Sequence, residues 1–187
     1  MEIVNAQRKK IHPHKFTLWV GMGSIIMMFA GLTSAYIVKG SQAGWTTIAI
    51  PKIFYYSTAV IVLSSLTMQM AVKSFKERSM MQYRRLITAT AILGFGFIVM
   101  QIMGFDQLWT EGIRLEGSGQ AQFLYVIFGL HALHVLGGAI ALLVMFFKAF
   151  SSSIRNYNPV PVEVAGSYWH FVDLLWIYLF VFFLFTQ

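Results

Sequence analysis

The sequence has no cysteine among its 187 residues, and only 11% of its residues are charged. Without cysteine, the chain cannot form disulfides, CxxCH heme attachments, iron–sulfur clusters or thiolate copper sites of its own. A soluble protein carries charged residues at roughly a quarter of its positions. Because 57% of the residues are apolar, the chain has too little polar surface to cover a water-soluble globule. These features identify the bilayer as its solvent.

Proline is also scarce, with four residues in the chain, so long apolar stretches are free to be helical. A helix needs about 20 mostly apolar residues to cross ~30 Å of hydrocarbon. Five stretches qualify, near residues 16–38, 53–72, 86–108, 123–147 and 165–186. The sequence therefore predicts an all-α integral membrane protein with a single five-helix transmembrane domain over residues 16–187. A basic tail at residues 1–15 precedes it, without the apolar core and cleavage site of a removable signal peptide.

Basic residues are distributed unevenly between the two sides of the membrane that five spans define. Eleven Lys and Arg residues fall in the N-terminal tail and in the second and fourth connections, against three on the opposite side. The positive-inside rule predicts a cytoplasmic N-terminus and a C-terminus outside. The net charge of +7 then reflects topology and anionic lipid head groups, and no nucleic-acid partner is expected.

Three histidines and one carboxylate fall inside the predicted spans, where ionisable groups are costly and need a partner or a purpose. His131 and His134 share a face of the fourth helix, since they are three residues apart, and His170 and Asp173 share a face of the fifth. A rise of about 1.5 Å per residue places His134 and Asp173 roughly 12–14 Å above the cytoplasmic boundary of the hydrocarbon. At the same depth lie Ser24, Ser64 and Ser65. We expect one polar cluster in this layer.

Three interpretations of the cluster stay open. In the first, it is a structural network in which Asp173 accepts a hydrogen bond from a histidine and serine hydroxyls satisfy the rest, since buried polar groups are nearly always paired. In the second, one histidine from each helix ligates a heme, as in b-type membrane cytochromes, although Trp169, Phe171 and Trp176 crowd the fifth helix. In the third, the cluster relays protons or cations.

The run YWHFVD at residues 168–173, followed by Trp176, resembles the closing helix of subunit III of heme-copper oxidases, which use cytochrome c or quinol. Four further segments resemble the family in the right order: FAGLTSAY at 29–36, SSLTMQMA at 64–71, Gln101 ahead of Trp109, and GLHALHVLGG at 129–138. The resemblance covers nearly the whole chain and is to the five-helix bacterial form of the subunit.

This resemblance implies a non-catalytic subunit that holds no redox cofactor and packs directly against subunit I, with subunit II and other subunits nearby. Heme and copper would lie in those partners, and a bound phospholipid is compatible with the family. The subunit would stabilise subunit I, support assembly and assist proton uptake in a proton-pumping enzyme of the bacterial inner membrane. Cytochrome c is the expected electron donor. The alternatives are a quinol oxidase, a nitric oxide reductase complex, a small transporter and a b-type cytochrome anchor.

The sequence departs from the family pattern at one carboxylate. Counting back from SAY at residues 34–36, the family's glutamate falls at Ile25, so Asp173 and hydroxyls are left to satisfy the histidines. A role of that glutamate in proton uptake does not transfer to this chain. Glu163 resembles the acidic residue that precedes YWHFVD, and it is either a solvated interfacial charge or a structural residue near a helix N-terminus. We expect Asp173→Leu to destabilise the subunit or its docking more than Glu77→Ala.

Overall fold

The protein folds into long α-helices. The computed structural model describes residues 13–40, 50–115, 118–150 and 158–186, so most of the predicted basic tail and Arg155 lie outside the described residues. The helices are α1 (Pro13–Gly40), α2 (Ile53–Lys76), α3 (Met80–Thr110), α4 (Gly119–Phe150) and α5 (Val160–Phe185). All five are long and apolar enough to cross a membrane. The prediction of an all-α, five-span protein is confirmed.

Several helices extend beyond the predicted spans. α3 begins at Met80 instead of residue 86, and α5 begins at Val160 instead of residue 165. Hydropathy identifies only the part of a helix that lies in hydrocarbon, whereas the backbone continues its internal hydrogen bonds through the polar interface. The helices are therefore longer than the spans predicted from hydropathy.

Left-handed residues end α2 and α3. Arg78 has a φ of 60° in the short turn that reverses the chain between α2 and α3, and Gly112 has a φ of 84° just after α3. Beyond Gly112, the Ile113 N–H donates to the Leu108 carbonyl at 3.0 Å, which is the bond that closes a Schellman motif. Glycine adopts this conformation without the steric cost that a side chain brings.

α5 packs against α1, α2 and α4, and α4 packs against α1, α3 and α5, while α3 also packs against α2. Trp169 of α5, 1% exposed, occupies the middle of this group. Its Nε1 donates to the Ser64 hydroxyl of α2 at 3.2 Å. Its six-membered ring lies 3.0 Å from where a Cβ would stand on Gly94 of α3 or on Gly138 of α4. One indole thus contacts three neighbouring helices.

Candidate functional site: polar residues in the middle of the bundle

A hydrogen bond between α2 and α5 lies halfway along both helices. The Ser65 hydroxyl is 2.6 Å from Nδ1 of His170, and both side chains are half-buried. The hydroxyl can donate to a neutral imidazole nitrogen or accept from an Nδ1–H, so the bond forms with either tautomer. Two of the predicted site residues are therefore brought together, and they join α2 to α5.

Asp173 lies one turn further along the same face of α5. Its side chain is 3% exposed, and neither carboxyl oxygen has a hydrogen-bond partner. Ser65 is the hydroxyl beside this carboxyl, but its oriented hydrogen bond is the one to His170. The expected bond from a histidine to Asp173 is not formed, and the carboxyl is left buried without a partner among the described residues.

A groove of about 310 Å³ runs between α2 and α5 over these side chains. Its polar lining residues are Ser65, Gln69, His170 and Asp173, and its apolar lining residues are Val62, Leu66, Leu174 and Ile177. Gln69 was not among the predicted site residues. Its position could have been predicted from the spacing, because Gln69 is four residues after Ser65 and therefore shares its helix face.

Ser64 faces a different part of the bundle from Ser65, since adjacent helix residues point about 100° apart. It is fully buried, accepts from Trp169 and donates to the Thr90 carbonyl of α3 at 3.4 Å. The Thr90 hydroxyl is in turn 2.9 Å from that of Thr67. Ser64 therefore belongs to a second polar group, centred on Trp169, that links α2, α3 and α5.

The two histidines of α4 have separate surroundings. The His131 ring is buried at a centroid distance of 5.3 Å from Trp176, and neither of its nitrogens has a hydrogen-bond partner in the part of the chain that the structure describes. His134 is half-buried and donates from Nδ1 to the Leu130 carbonyl of its own helix at 2.6 Å. Phe29 of α1 packs edge-on against both rings. The histidine pair thus contacts aromatic rings and its own backbone.

The six predicted residues therefore do not form one hydrogen-bonded network. Ser65, His170 and Asp173 lie between α2 and α5, Ser64 lies with Trp169, and the α4 histidines lie apart. The physical reason is the rotation of α5, which turns His170 toward α2 and places the Trp176 indole against His131. The Trp176 Nε1 donates to Thr58 of α2 at 3.0 Å, which fixes this ring.

The packing of α4 against α5 bears on the expected heme site. The space that a heme would need between α4 and α5 is filled by indoles, since Trp169 contacts Gly138 and Trp176 contacts His131.

Ser24, which the sequence places in the polar layer, is exposed and donates to the Val20 carbonyl of its own helix at 3.1 Å. Among the residues with described positions, no three or more His, Cys, Asp or Glu side chains cluster as metal ligands would.

The predicted interfacial residue Glu163 lies at one end of the bundle. Its carboxylate is 2.5 Å from Nζ of Lys15 on α1 and 2.8 Å from Nζ of Lys76 on α2, and 20% of its side chain is exposed. Its charge therefore joins the start of α5 to the start of α1 and the end of α2. At Ile25, where the family's glutamate would fall, the side chain is partly buried and packs against the apolar core.

Comparison with known proteins gives the family. A family model described as "Cytochrome c oxidase subunit III" matches residues 16–187. A Nocardia farcinica protein named "Probable cytochrome c oxidase subunit 3" is 32% identical, over 94% of this chain and 92% of its own. "Cytochrome c oxidase subunit 3" of Corynebacterium diphtheriae is 30% identical, over 90% and 88%. "Cytochrome bo(3) ubiquinol oxidase subunit 3" of Pseudomonas aeruginosa is 26% identical, over 88% and 81%.

These matches span all five helices, including the YWHFVD run on α5 and the two histidines on α4. The resemblance that was read from short motifs is thus confirmed over nearly the full chain. The chain is a multi-pass membrane protein that belongs to the cytochrome c oxidase subunit III family and associates, as a subunit III, with the other subunits of a heme-copper oxidase.

Proposed function

We propose that this chain is the subunit III of a proton-pumping terminal oxidase in a bacterial inner membrane, and that it packs against subunit I without carrying a redox centre. The observation that carries this proposal is the family match over residues 16–187, which covers the five spans. Heme and copper would be held by partner subunits. The chain's own contribution would be to stabilise subunit I and to support assembly of the complex.

The bundle is built like a rigid support. Trp169 and Trp176 are each 1% exposed, and each donates a hydrogen bond to a hydroxyl of α2. Large side chains that are fully packed leave little freedom for the helices to shift against one another. Such a bundle would present one fixed surface to subunit I. This supports a structural role more than a transport role, which would call for discontinuous helices.

The orientation is part of the proposal. Lys15, Lys76 and Glu163 meet at one end of the bundle, which puts the start of α1, the end of α2 and the start of α5 on the same side. Further basic residues lie on that side, namely Arg78 between α2 and α3 and Arg84 and Arg85 near the start of α3. By the positive-inside rule, we assign this end to the cytoplasm.

Proton uptake would be assisted indirectly in this chain. The family's intramembrane glutamate is replaced by Ile25, which packs in the core. Asp173 is the carboxylate nearest the middle of the bundle, and it faces the groove between α2 and α5 and not the α4 histidines. A proton path through Ile25 has no titratable group at that position. We therefore propose that this subunit supports proton entry through subunit I.

Purification of the complex tests the proposal. An affinity tag on this chain, with extraction in mild detergent, should recover subunits I and II, and the preparation should show heme absorption and consume oxygen. Reduced cytochrome c should support that oxygen consumption. Recovery of the chain without any other oxidase subunit, under conditions that keep a tagged subunit I intact, would contradict the proposal.

A quinol-oxidising complex is the second candidate, because the Pseudomonas aeruginosa relative named for a ubiquinol oxidase is also similar over most of the chain. The relatives named for cytochrome c oxidase are more similar, at 32% and 30% against 26%. The same preparation separates the two candidates. Oxygen consumption with quinol but not with reduced cytochrome c would assign the complex to the quinol class.

A further inference from the structure

The groove between α2 and α5 holds a carboxyl group that has no hydrogen-bond partner among the described residues. Asp173 is 3% exposed with both oxygens unpaired, and it lines the groove together with Ser65, Gln69 and His170. A buried carboxyl without a hydrogen bond costs several kcal/mol when it is charged, and a neutral one still has unmet donors and acceptors. This cost is relieved if the groove is covered by a group that can hydrogen-bond to the carboxyl.

Lipid chains cannot supply that bond. The apolar lining residues Leu66 and Leu174 are 53% and 65% exposed, so the groove opens toward the surroundings of the bundle. In a membrane those surroundings are hydrocarbon, which has no donor or acceptor groups. An acyl chain would fit the apolar lining residues and leave Asp173 unpaired.

A lipid head group is equally unsuitable, because Asp173 lies at the middle of the span. It is 13 residues after Val160 and 12 before Phe185, the ends of α5. With a rise of about 1.5 Å per residue, it is roughly 18–20 Å from either end of the helix. Head groups reside outside a hydrocarbon core of ~30 Å. A protein helix that crosses the membrane can bring a donor side chain to this depth.

We propose that this groove is a docking site for a transmembrane helix of another oxidase subunit, which inserts one side chain with an N–H or O–H donor at mid-membrane to pair with Asp173. The rest of that helix face is apolar and packs on Leu66 and Leu174. This inference rests on the proposed function, which supplies the neighbouring subunits.

The size and chemistry of the groove agree with one inserted side chain. A cavity of 150 Å³ accepts a benzene molecule, so about 310 Å³ has room for a large polar side chain but not for a helix backbone. The Ser65 hydroxyl and Nδ1 of His170 already pair with each other, whereas both oxygens of Asp173 have no partner among the described residues. Gln69, which is exposed, lies one turn along α2 and is available to pair with any remaining donor.

Site-directed photo-crosslinking in the intact complex tests the proposal. Because the chain has no cysteine, Leu174→Cys creates a single thiol at the edge of the groove for a benzophenone maleimide. Leu133→Cys on α4, 64% exposed and away from the groove, is the matched control. We expect Leu174→Cys to crosslink to a transmembrane peptide of another subunit that carries a polar donor. Crosslinks to lipid chains alone, or to a second copy of this chain, would overturn the proposal.

Blocking the groove gives an independent test. Leu66→Trp should fill the groove, whereas Leu63→Trp places the same ring on an equally exposed site of α2 that does not line it. We expect Leu66→Trp to weaken retention of this subunit during detergent washing by roughly three- to twentyfold, the range of one interhelical hydrogen bond in a membrane. Equal retention of both variants would contradict the docking site.

The Asp173 variants identify the bond itself. Asp173→Leu should weaken retention about as much as Leu66→Trp, while Asp173→Asn keeps an acceptor oxygen and should recover part of the loss. Asp173 has no hydrogen-bond partner among the described residues, so neither variant should lower the thermal unfolding midpoint of the separated subunit. Asp173→Leu should raise it, because it removes an unpaired polar group from the interior. If the other subunits co-purify but these variants do not change retention, the proposed docking site is contradicted and the proposed function is not affected. If no oxidase subunits co-purify, the proposed function itself fails.

Discussion

Trp169 of α5 and Gly94 of α3 approach so closely that a Cβ on Gly94 would lie 3.0 Å from two atoms of the indole. The opposite part of the same ring is equally close to Gly138 of α4, and the indole Nε1 is held by Ser64 of α2. The ring is therefore held by contacts to three helices. The tryptophan of YWHFVD thus sets the distance between α5 and its neighbours.

Gly94→Ala should destabilise the bundle. The added methyl group would press on a ring that Gly138 and Ser64 hold from other sides, and overpacking of this kind costs typically 1–3 kcal/mol. Gly96→Ala is the matched control, because a Cβ there meets nothing within 4 Å. Thermal unfolding of the detergent-solubilised subunit measures both. Similar midpoints for the two variants would show that Trp169 can yield.

Ser65→Ala should weaken the contact between α2 and α5. It removes the 2.6 Å hydrogen bond to His170 and leaves a half-buried imidazole nitrogen unpaired. Interhelical hydrogen bonds in membranes contribute about 0.6 kcal/mol on average and up to about 1.7. Unfolding in increasing SDS measures the loss. Ser24→Ala is the control, since Ser24 is exposed and bonds only its own helix. An equally large loss of stability in Ser24→Ala would show that the Ser65–His170 bond does not stabilise the contact between α2 and α5.

Glu163→Gln should cause a small, salt-dependent loss of stability. The carboxylate contacts lysines on α1 and α2, but ion pairs that water reaches contribute only about 0.2–1 kcal/mol. Glu77→Gln is the control, because Glu77 is 56% exposed and pairs with Lys73 at 3.9 Å within a single stretch of chain. We expect Glu163→Gln to have the larger effect at low salt and the difference to shrink as salt screens the charges. A difference independent of salt would indicate packing instead of charge.

The separated subunit should show no stoichiometric Soret band, while the intact complex should show heme absorption. Trp169 and Trp176 occupy the space between α4 and α5 that a bis-histidine heme would require. The measurement is an absorption spectrum of the subunit after detergent dissociation, referred to its protein concentration. A heme band of equal stoichiometry in the separated subunit would reverse the structural interpretation of His131 and His170.

The number and type of helices, and the family, could be read from the sequence. Hydrocarbon requires about 20 apolar residues in each span, and this requirement depends on composition along the chain and not on the partners of each side chain. The run at 168–173 and the segment at 129–138 identified the family by residue order alone. Both conclusions hold in the structure and in the comparisons.

The partners of the polar residues were decided by the tertiary structure. Spacing correctly indicates that His170 and Asp173 share a face of α5, but the rotation of that helix selects which neighbour the face meets. The rotation follows from bulky rings: Trp176 packs on His131, and Trp169 fits beside Gly94 and Gly138. Asp173 consequently faces α2 and the groove. Depth can be counted along a helix from the sequence, whereas azimuth depends on how all five helices pack together.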